Sequence, residues 1–302
     1  MEVLHLRNQF LRAVCWSIAV VLWTAVWAGC SKKEIPAGGR PDSSLRIIAM
    51  APNLTEILFA LGLDKEIVAV AKGSNYPPAA LQKRTVGTFW QPDIEAVLAC
   101  RPTLVITESF AQQAALAERL RRMGCRTLTL EIETIEQLHQ AILTIGDAVH
   151  RKEAAEQIST QLKDKQRGIA ARCEALPYRP KVLWVIQRQP LRAAGIRAFP
   201  NELIETAGGI NAIGDTPHQY PPIAAETVLA AKPDVIIETA DDAQSLKRQQ
   251  ETASQFYRRF AGVPAVQTGR IYVLDGDLVS RLGPRLAEGM EQVAECLHPR
   301  EN

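Results

Sequence analysis

The chain has 302 residues, 47% of them hydrophobic and 23% charged, with 35 Lys and Arg against 33 Asp and Glu. That length supplies two cores of ordinary domain size, and that balance excludes a disordered chain. A formal charge of +2, with no run of like charge, gives nothing that favours a polyanion partner such as nucleic acid.

In chain order, the first element is an export signal. Arg7 and Arg12 precede the apolar stretch AVCWSIAVVLWTAVWAGC, and the composition then turns polar at SKKEIPAGGRPDSS. The apolar run is short for a comfortable membrane span. Its end, Trp27 to Cys30, resembles a bacterial lipoprotein cleavage box, which implies a signal over 1–29 and a lipid on Cys30; a plain membrane anchor or an ordinary secretory signal is the alternative. Residues 31–44, rich in Gly, Pro, Ser and Lys, read as a flexible tether. The remainder is expected in the periplasm or at an extracytoplasmic membrane surface.

From residue 45 on, short β-branched runs alternate with helical patterns, which predicts an α/β fold with mostly parallel strands. Strands are expected at 46–50, 66–71, 103–107 and 126–130. Helices are expected from Asn53 (an Asn-x-x-Glu capping pattern) to Gly62, after Pro92, over 110–123 and over 134–149. In the second half, strands are expected at 181–187, 234–239 and 271–275, and helices at 200–207, 224–231, 243–260 and 284–297. Residues 151–176 hold one Gly and no Pro, so about 25 residues of helix would span roughly 37 Å. That length bridges a first lobe (45–150) and a second (177–302) as a strut, or packs within one lobe.

The halves repeat each other. EAVLACRPTLVI (95–106) returns as ETVLAAKPDVII (226–237), and TEILFALGL (55–63) returns more weakly as NELIETAGG (201–209), with Glu56 over Glu202 and Gly62 over Gly208. Two similar lobes with different loops follow from this.

The sequence holds no GxSxG, HExxH, P-loop or strand-linked GxGxxG, so catalysis has no visible machinery. His139, His150 and His298 fall in helical stretches expected to be solvated, and only His218 sits in an aromatic, Pro-rich loop, so a metal cage cannot be drawn. Outside the cytoplasm Cys100, Cys125, Cys173 and Cys296 are free to pair; Cys100–Cys125, within one half, is the expected pair, with buried free thiols the alternative. Four loops stand out instead: SNYPPAA (74–80), GTFWQPDIE (87–95), GIRAFPNE (195–202) and DTPHQYPPIAAE (215–226). Each joins aromatics to Pro near the end of a strand or the start of a helix, where α/β sheets gather ligand sites. Tyr76, Phe89, Trp90, Phe199 and Tyr220 are therefore expected to line one cleft for a large, flat, partly apolar ligand.

The run RIIAMAPNLTEILFALGL, then SNYPP and VGTFWQPDIEAVLACRPTLVI, resembles the first lobe of ABC-importer binding proteins for vitamin B12, haem and ferric siderophores. FPNELIETAGGINAIGD and YPPIAAETVLAAKPDVII resemble the second lobe, and together they cover 45–298 in order. The resemblance implies two Rossmann-like lobes with central, mostly parallel sheets, joined by one long rigid helix, in a monomer that is not an enzyme and needs no cofactor. It implies a corrinoid, with cobalamin foremost, bound between the lobes. It further implies that Glu95 and Glu226 dock on the two subunits of a permease whose ATPase supplies the energy. Haem or a ferric siderophore is the alternative ligand, with His218 as an axial ligand or Arg188, Arg192 and Arg197 as a basic cleft. A secreted metal-dependent enzyme or a structural lipoprotein is the alternative of another class.

Overall fold

The computed structural model describes residues 45–240 and 245–299. The expected signal, the Cys30 lipid site and the tether lie outside the described residues. Residues 44–302 form one compact unit.

In the N-terminal lobe, β1 (Ile47–Ala49), α1 (Pro52–Ala60), β2 (Ile67–Lys72), β3 (Arg84–Thr88), α2 (Ile94–Ala99), β4 (Leu104–Glu108), α3 (Ala111–Arg122), β5 (Thr127–Leu130) and α4 (Ile135–Ala148) follow in order. The five strands make one parallel sheet, ordered β3-β2-β1-β4-β5. Helices cover both faces, so its central strands are continuous apolar runs: Ile47, Ile48 and Ala49 are wholly buried, as are Val105 and Ile106. The edge strand β3 has only Val86 buried and was not predicted, because RTVGT carries neither an apolar run nor a clean alternation. Helix α1 corrects a further expectation. Ala51 is its N-cap and Pro52 its first residue, while Asn53 turns its amide to Glu108 (2.7 Å) instead of capping.

The helix α5 (Lys152–Glu174) has 23 residues, about 34 Å of rise. It packs along α4 on one side, and on the other against α6 (Phe199–Thr206) and the helix Leu286–Leu297 of the C-terminal lobe. Gly146 lets α4 and α5 cross closely, since a Cβ there would stand 2.3 Å from that of Ala155. His139, expected in solvent, is instead 1% exposed on the same seam, with Nδ1 3.1 Å from Ser159 Oγ. His298 is partly buried, with Nε2 3.0 Å from the Ala207 carbonyl.

The C-terminal lobe contains β6 (Lys181–Arg188), β7 (Leu191–Ala193), α6, β8 (Ile210–Asn211), α7 (Ala225–Ala231), β9 (Val235–Ala240), α8 (Leu246–Tyr257), α9 (Pro264–Gln267), β10 (Ile271–Asp275), α10 (Gly276–Val279) and α11 (Leu286–Leu297). Its sheet runs β10-β9-β6-β7, with β8 pairing the first residues of β6; β7 alone is antiparallel. One apolar cluster runs unbroken through both lobes, from Ile57 and Ile142 past Leu162 and Ile169 of α5 to Leu203 and Met290. The four cysteines of this region are free thiols, so the expected Cys100–Cys125 bond is not made: Cys100 is buried in the apolar cluster between sheet and helices, and Cys125 packs against it.

The repeat is realised in backbone as well as in sequence. Arg101 and Lys232, each ending a repeated helix before a Pro, have φ of 48° and 47°, and Gly62 and Gly208 have 74° and 72°. It is realised across the lobe boundary too. Glu56, 4% exposed on α1, accepts from Arg285 Nε and Nη2 at 2.9 and 2.7 Å and lies 3.5 Å from Arg281. Its counterpart Glu202 on α6 reaches the opposite way and accepts from the Ile135 amide at the start of α4, at 3.1 Å. Removing Glu56 strands two part-buried guanidinium groups, so Glu56→Ala is expected to cost about 3 kcal/mol or more. Glu202→Ala is expected to cost about 1 kcal/mol. Urea unfolding of both variants measures the difference.

Candidate functional site

The order β3-β2-β1-β4-β5 reverses direction between β1 and β4, and a doubly wound sheet opens a crevice at the carboxyl ends of such strands. Three polar side chains form its floor. Gln113, wholly buried on α3, donates to the carbonyls of Met50 (2.8 Å) and Phe89 (3.2 Å) and accepts from the Glu108 amide (2.9 Å). One side chain thus pins the ends of β1, β3 and β4. Asn53 donates to the Glu108 carboxylate and, at 3.2 Å, to the Leu282 carbonyl of the other lobe.

Above this floor stands the loop after β3. Thr88 and Gln91 bond each other at 2.9 and 3.0 Å, and the Asp93 amide returns to the Val86 carbonyl at 3.1 Å. Gly87 has φ +91°, and a Cβ there would meet Asp93 N and Gln91 O at 2.5 Å, so this turn admits only glycine. Asp93 then caps α2 by accepting from the Glu95 and Ala96 amides, both at 3.0 Å. The loop holds Phe89 half-buried and leaves Trp90 61% exposed. With Phe110 they make an edge-to-face trio: Phe89–Trp90 4.7 Å, Phe89–Phe110 5.1 Å, Trp90–Phe110 5.8 Å between centroids. Phe110 escaped the sequence reading; its only signal is an aromatic two residues beyond the end of β4.

The other expected residues are placed separately. Tyr76, 42% exposed, lies under the Arg285 guanidinium at 3.8 Å, joined to the clasp between lobes. Phe199 opens α6, and it and Tyr220 are half-buried against the shared core. Burial, then the Glu133 carboxylate of the other lobe, pushes the Tyr220 phenol up. His218 is exposed, its carbonyl accepting from Thr216 Oγ1 at 2.7 Å. The three arginines considered for a basic cleft are engaged: Arg188 with Glu238 (2.5 Å), Arg197 with Asp215 (2.9 Å) and Arg192 with the Tyr220 carbonyl (2.9 Å). Glu95 and Glu226 are exposed in the first turns of α2 and α7 and make no ion pair among the described residues.

Glu108, also missed from sequence, is the electrostatic feature of the crevice. Burial pushes its carboxyl up to about 7; the Asn53 hydrogen bond opposes this and the Glu133 charge adds to it. Near neutral pH it is therefore divided between its ionised and protonated forms.

Two α/β lobes that share one apolar core are joined by the Glu56–Arg285 contact, and an aromatic trio stands at the carboxyl ends of the first lobe's strands. The chain belongs to the periplasmic binding protein family, which it matches over residues 47–278. It is 26% identical over 260 residues to the vitamin B12-binding protein of Vibrio cholerae serotype O1, covering 85% of this chain and 91% of that protein. It is equally 26% identical over 260 residues to an uncharacterized ABC transporter substrate-binding lipoprotein of Bacillus subtilis, covering 84% and 80%. The periplasmic haem-binding protein of Roseiflexus shares the fold, with TM-score 0.75 at 24% identity over 84% of this chain and 98% of that one.

Because native Glu108 binds its proton more tightly than the unfolded chain does, its contribution to stability is full below about pH 4.5 and lost as pH rises through about 7, a change of about 3 kcal/mol. Thermal melts across that range are expected to show Glu108→Gln losing less stability with rising pH than the native protein.

Proposed function

We propose that this protein captures a corrinoid, with cobalamin as the ligand, in the crevice between its lobes and delivers it to an ABC importer. The observation that carries the reading is Trp90: a large aromatic, 61% exposed, on a loop closed by the Thr88–Gln91 and Asp93–Val86 hydrogen bonds. Uncovered aromatic surface of this size is costly in water, and a flat conjugated ring stacked on it recovers about 1 kcal/mol or more beyond the area buried. In this reading Tyr76, Phe199 and Tyr220 supply the further aromatic contacts that a broad macrocycle needs. The name of the Vibrio cholerae relative supports this choice. The engagement of Arg188, Arg192 and Arg197 argues against a ferric siderophore, whose anionic groups call for free cations.

The remaining parts follow from that role. Residues 1–29 act as the signal, Cys30 carries the lipid, 31–44 are the tether, and 151–176 bridge lobes 45–150 and 177–302. Glu95 and Glu226, exposed at equivalent positions of a repeated helix, meet cations on the two halves of a permease dimer, and the partner's ATPase supplies the energy. The protein acts as a monomer.

Calorimetry on residues 31–302 tests the ligand. One-to-one binding of cyanocobalamin is expected, weakened about 10- to 100-fold by Trp90→Ala and similarly by Phe110→Ala. Binding of haemin without cyanocobalamin, lost in His218→Ala, replaces the corrinoid by haem. Docking is tested separately in cells: Glu95→Lys with Glu226→Lys is expected to leave cyanocobalamin affinity unchanged and to abolish uptake.

A further inference from the structure

The amino-terminal ends of β1 to β5 lie on the side of the lobe opposite the crevice, and cations outnumber acids there. Arg46, entering β1, donates to the carbonyls of Cys100 (2.7 Å) and Arg101 (3.1 Å), which ties the entries to β1 and β4 together. At one edge Arg126 reaches the Ala148 carbonyl (3.4 Å), beside Arg151 where α4 turns into α5. At the other edge Lys83, before β3, meets Asp64, before β2, at 2.7 Å. Glu118 answers Arg121 at 2.8 Å and Arg122 only at 3.9 Å. Arg84, Arg101, Arg119 and Arg151 are exposed and have no ion-pair partner among the described residues. Two apolar side chains stand out of the same face, Leu81 at 66% and Met123 at 57% exposure. The described residues begin at this end, with Leu45 and Arg46 leading into β1.

We propose that this face rests on an anionic lipid surface whenever the protein is not docked on a permease. The inference rests on the reading of residues 1–30 as a membrane-attached, lipid-bearing segment. Near an anionic bilayer each Lys or Arg contributes about 1 kcal/mol, within a Debye length of about 10 Å. Exposed Leu and Met add shallow apolar insertion, as on other interfacial surfaces. Fourteen residues, 31–44, reach at most about 48 Å, which keeps the face within that distance of a lipid on Cys30. In this posture the carboxyl ends of the first lobe's strands, with Glu95 and the aromatic trio beside them, point away from the membrane. Capture then happens toward solvent, and docking requires the molecule to turn over on its tether, releasing the basic face.

The test uses the full chain reconstituted in vesicles of phosphatidylcholine alone, or with phosphatidylglycerol as about a third of the lipid. Flotation reads attachment, and mass spectrometry after amine acylation reads the exposure of Lys65 and Lys152 on this face against Lys72 at the carboxyl end of β2. Protection of Lys65 and Lys152 by about threefold on the anionic vesicles is expected, with Lys72 unchanged. That protection should vanish at about 1 M salt, where the Debye length falls to about 3 Å, and in the combined Arg84→Glu, Arg122→Glu, Arg126→Glu variant. Equal labelling on both vesicles by protein that floats overturns the basic face and leaves the anchor standing. If the chain fails to float on neutral vesicles, the anchor is overturned. The face is then supported by salt-sensitive flotation on anionic vesicles, and overturned by its absence.

Discussion

The carboxylate of Glu56 is the constraint on which the rest of the molecule depends. It is buried on the first helix of one lobe and bound in bidentate fashion by Arg285 of the other, with Arg281 at 3.5 Å. A buried charge of this kind is tolerable only with its partners in place, so the two lobes hold one separation or lose the whole arrangement. The clasp also extends outward. Arg281 reaches Asn75 at 2.7 Å and Asp277 at 2.5 Å, and Arg285 lies over Tyr76, so the loop at the crevice edge is positioned by the groups that join the lobes. With α5 packed against both lobes and one apolar cluster passing through all three, separating the lobes would expose that core.

The repeat shows how one ancestral pattern serves two sides differently. Glu56 and Glu202 occupy matching helices and each reaches into the opposite lobe, one to guanidinium groups and the other to a helix amide. Glu108 ends β4 and Glu238 lies inside β9, one register away from its equivalent position (Thr239), so the two buried carboxylates of the matching strands face opposite sides of their sheets and meet different groups. Glu238 is neutralised by Arg188 and accepts from the Tyr257 hydroxyl at 2.6 Å, which makes it a structural pair. Glu108 has only the Asn53 amide, so burial acts on it without a compensating cation. One buried carboxyl is therefore left titratable while the other is a settled ion pair.

Much of the fold was readable from local pattern. The central strands are apolar runs because both faces of a parallel sheet are covered, and the repeated helices before Arg101 and Lys232 announce themselves by a Pro that stops them. The short strands β7 and β8 were unreadable because two or three residues carry no period, and β3 because an edge strand buries a single residue. Asn53 misled because Asn-x-x-Glu describes a capping box and also an amide aimed at a carboxylate 55 positions away. The aromatic loops were visible as composition, and Phe89 and Trp90 do meet, but their third partner, Phe110, comes from another loop and had no neighbour in sequence to mark it.

By itself the sequence determined the alternation of strands and helices, the internal duplication and the long helix between lobes, because periodicity, Pro and Gly act within a few residues of where they stand. Only the tertiary structure decided which groups face one another. The clasp on Glu56, the buried carboxyl of Glu108, the thiols left unpaired and the burial of His139 all depend on contacts between residues far apart in the chain. Charge, desolvation and packing act through space, and the spatial neighbours of these residues exist only once both sheets have closed on the shared core.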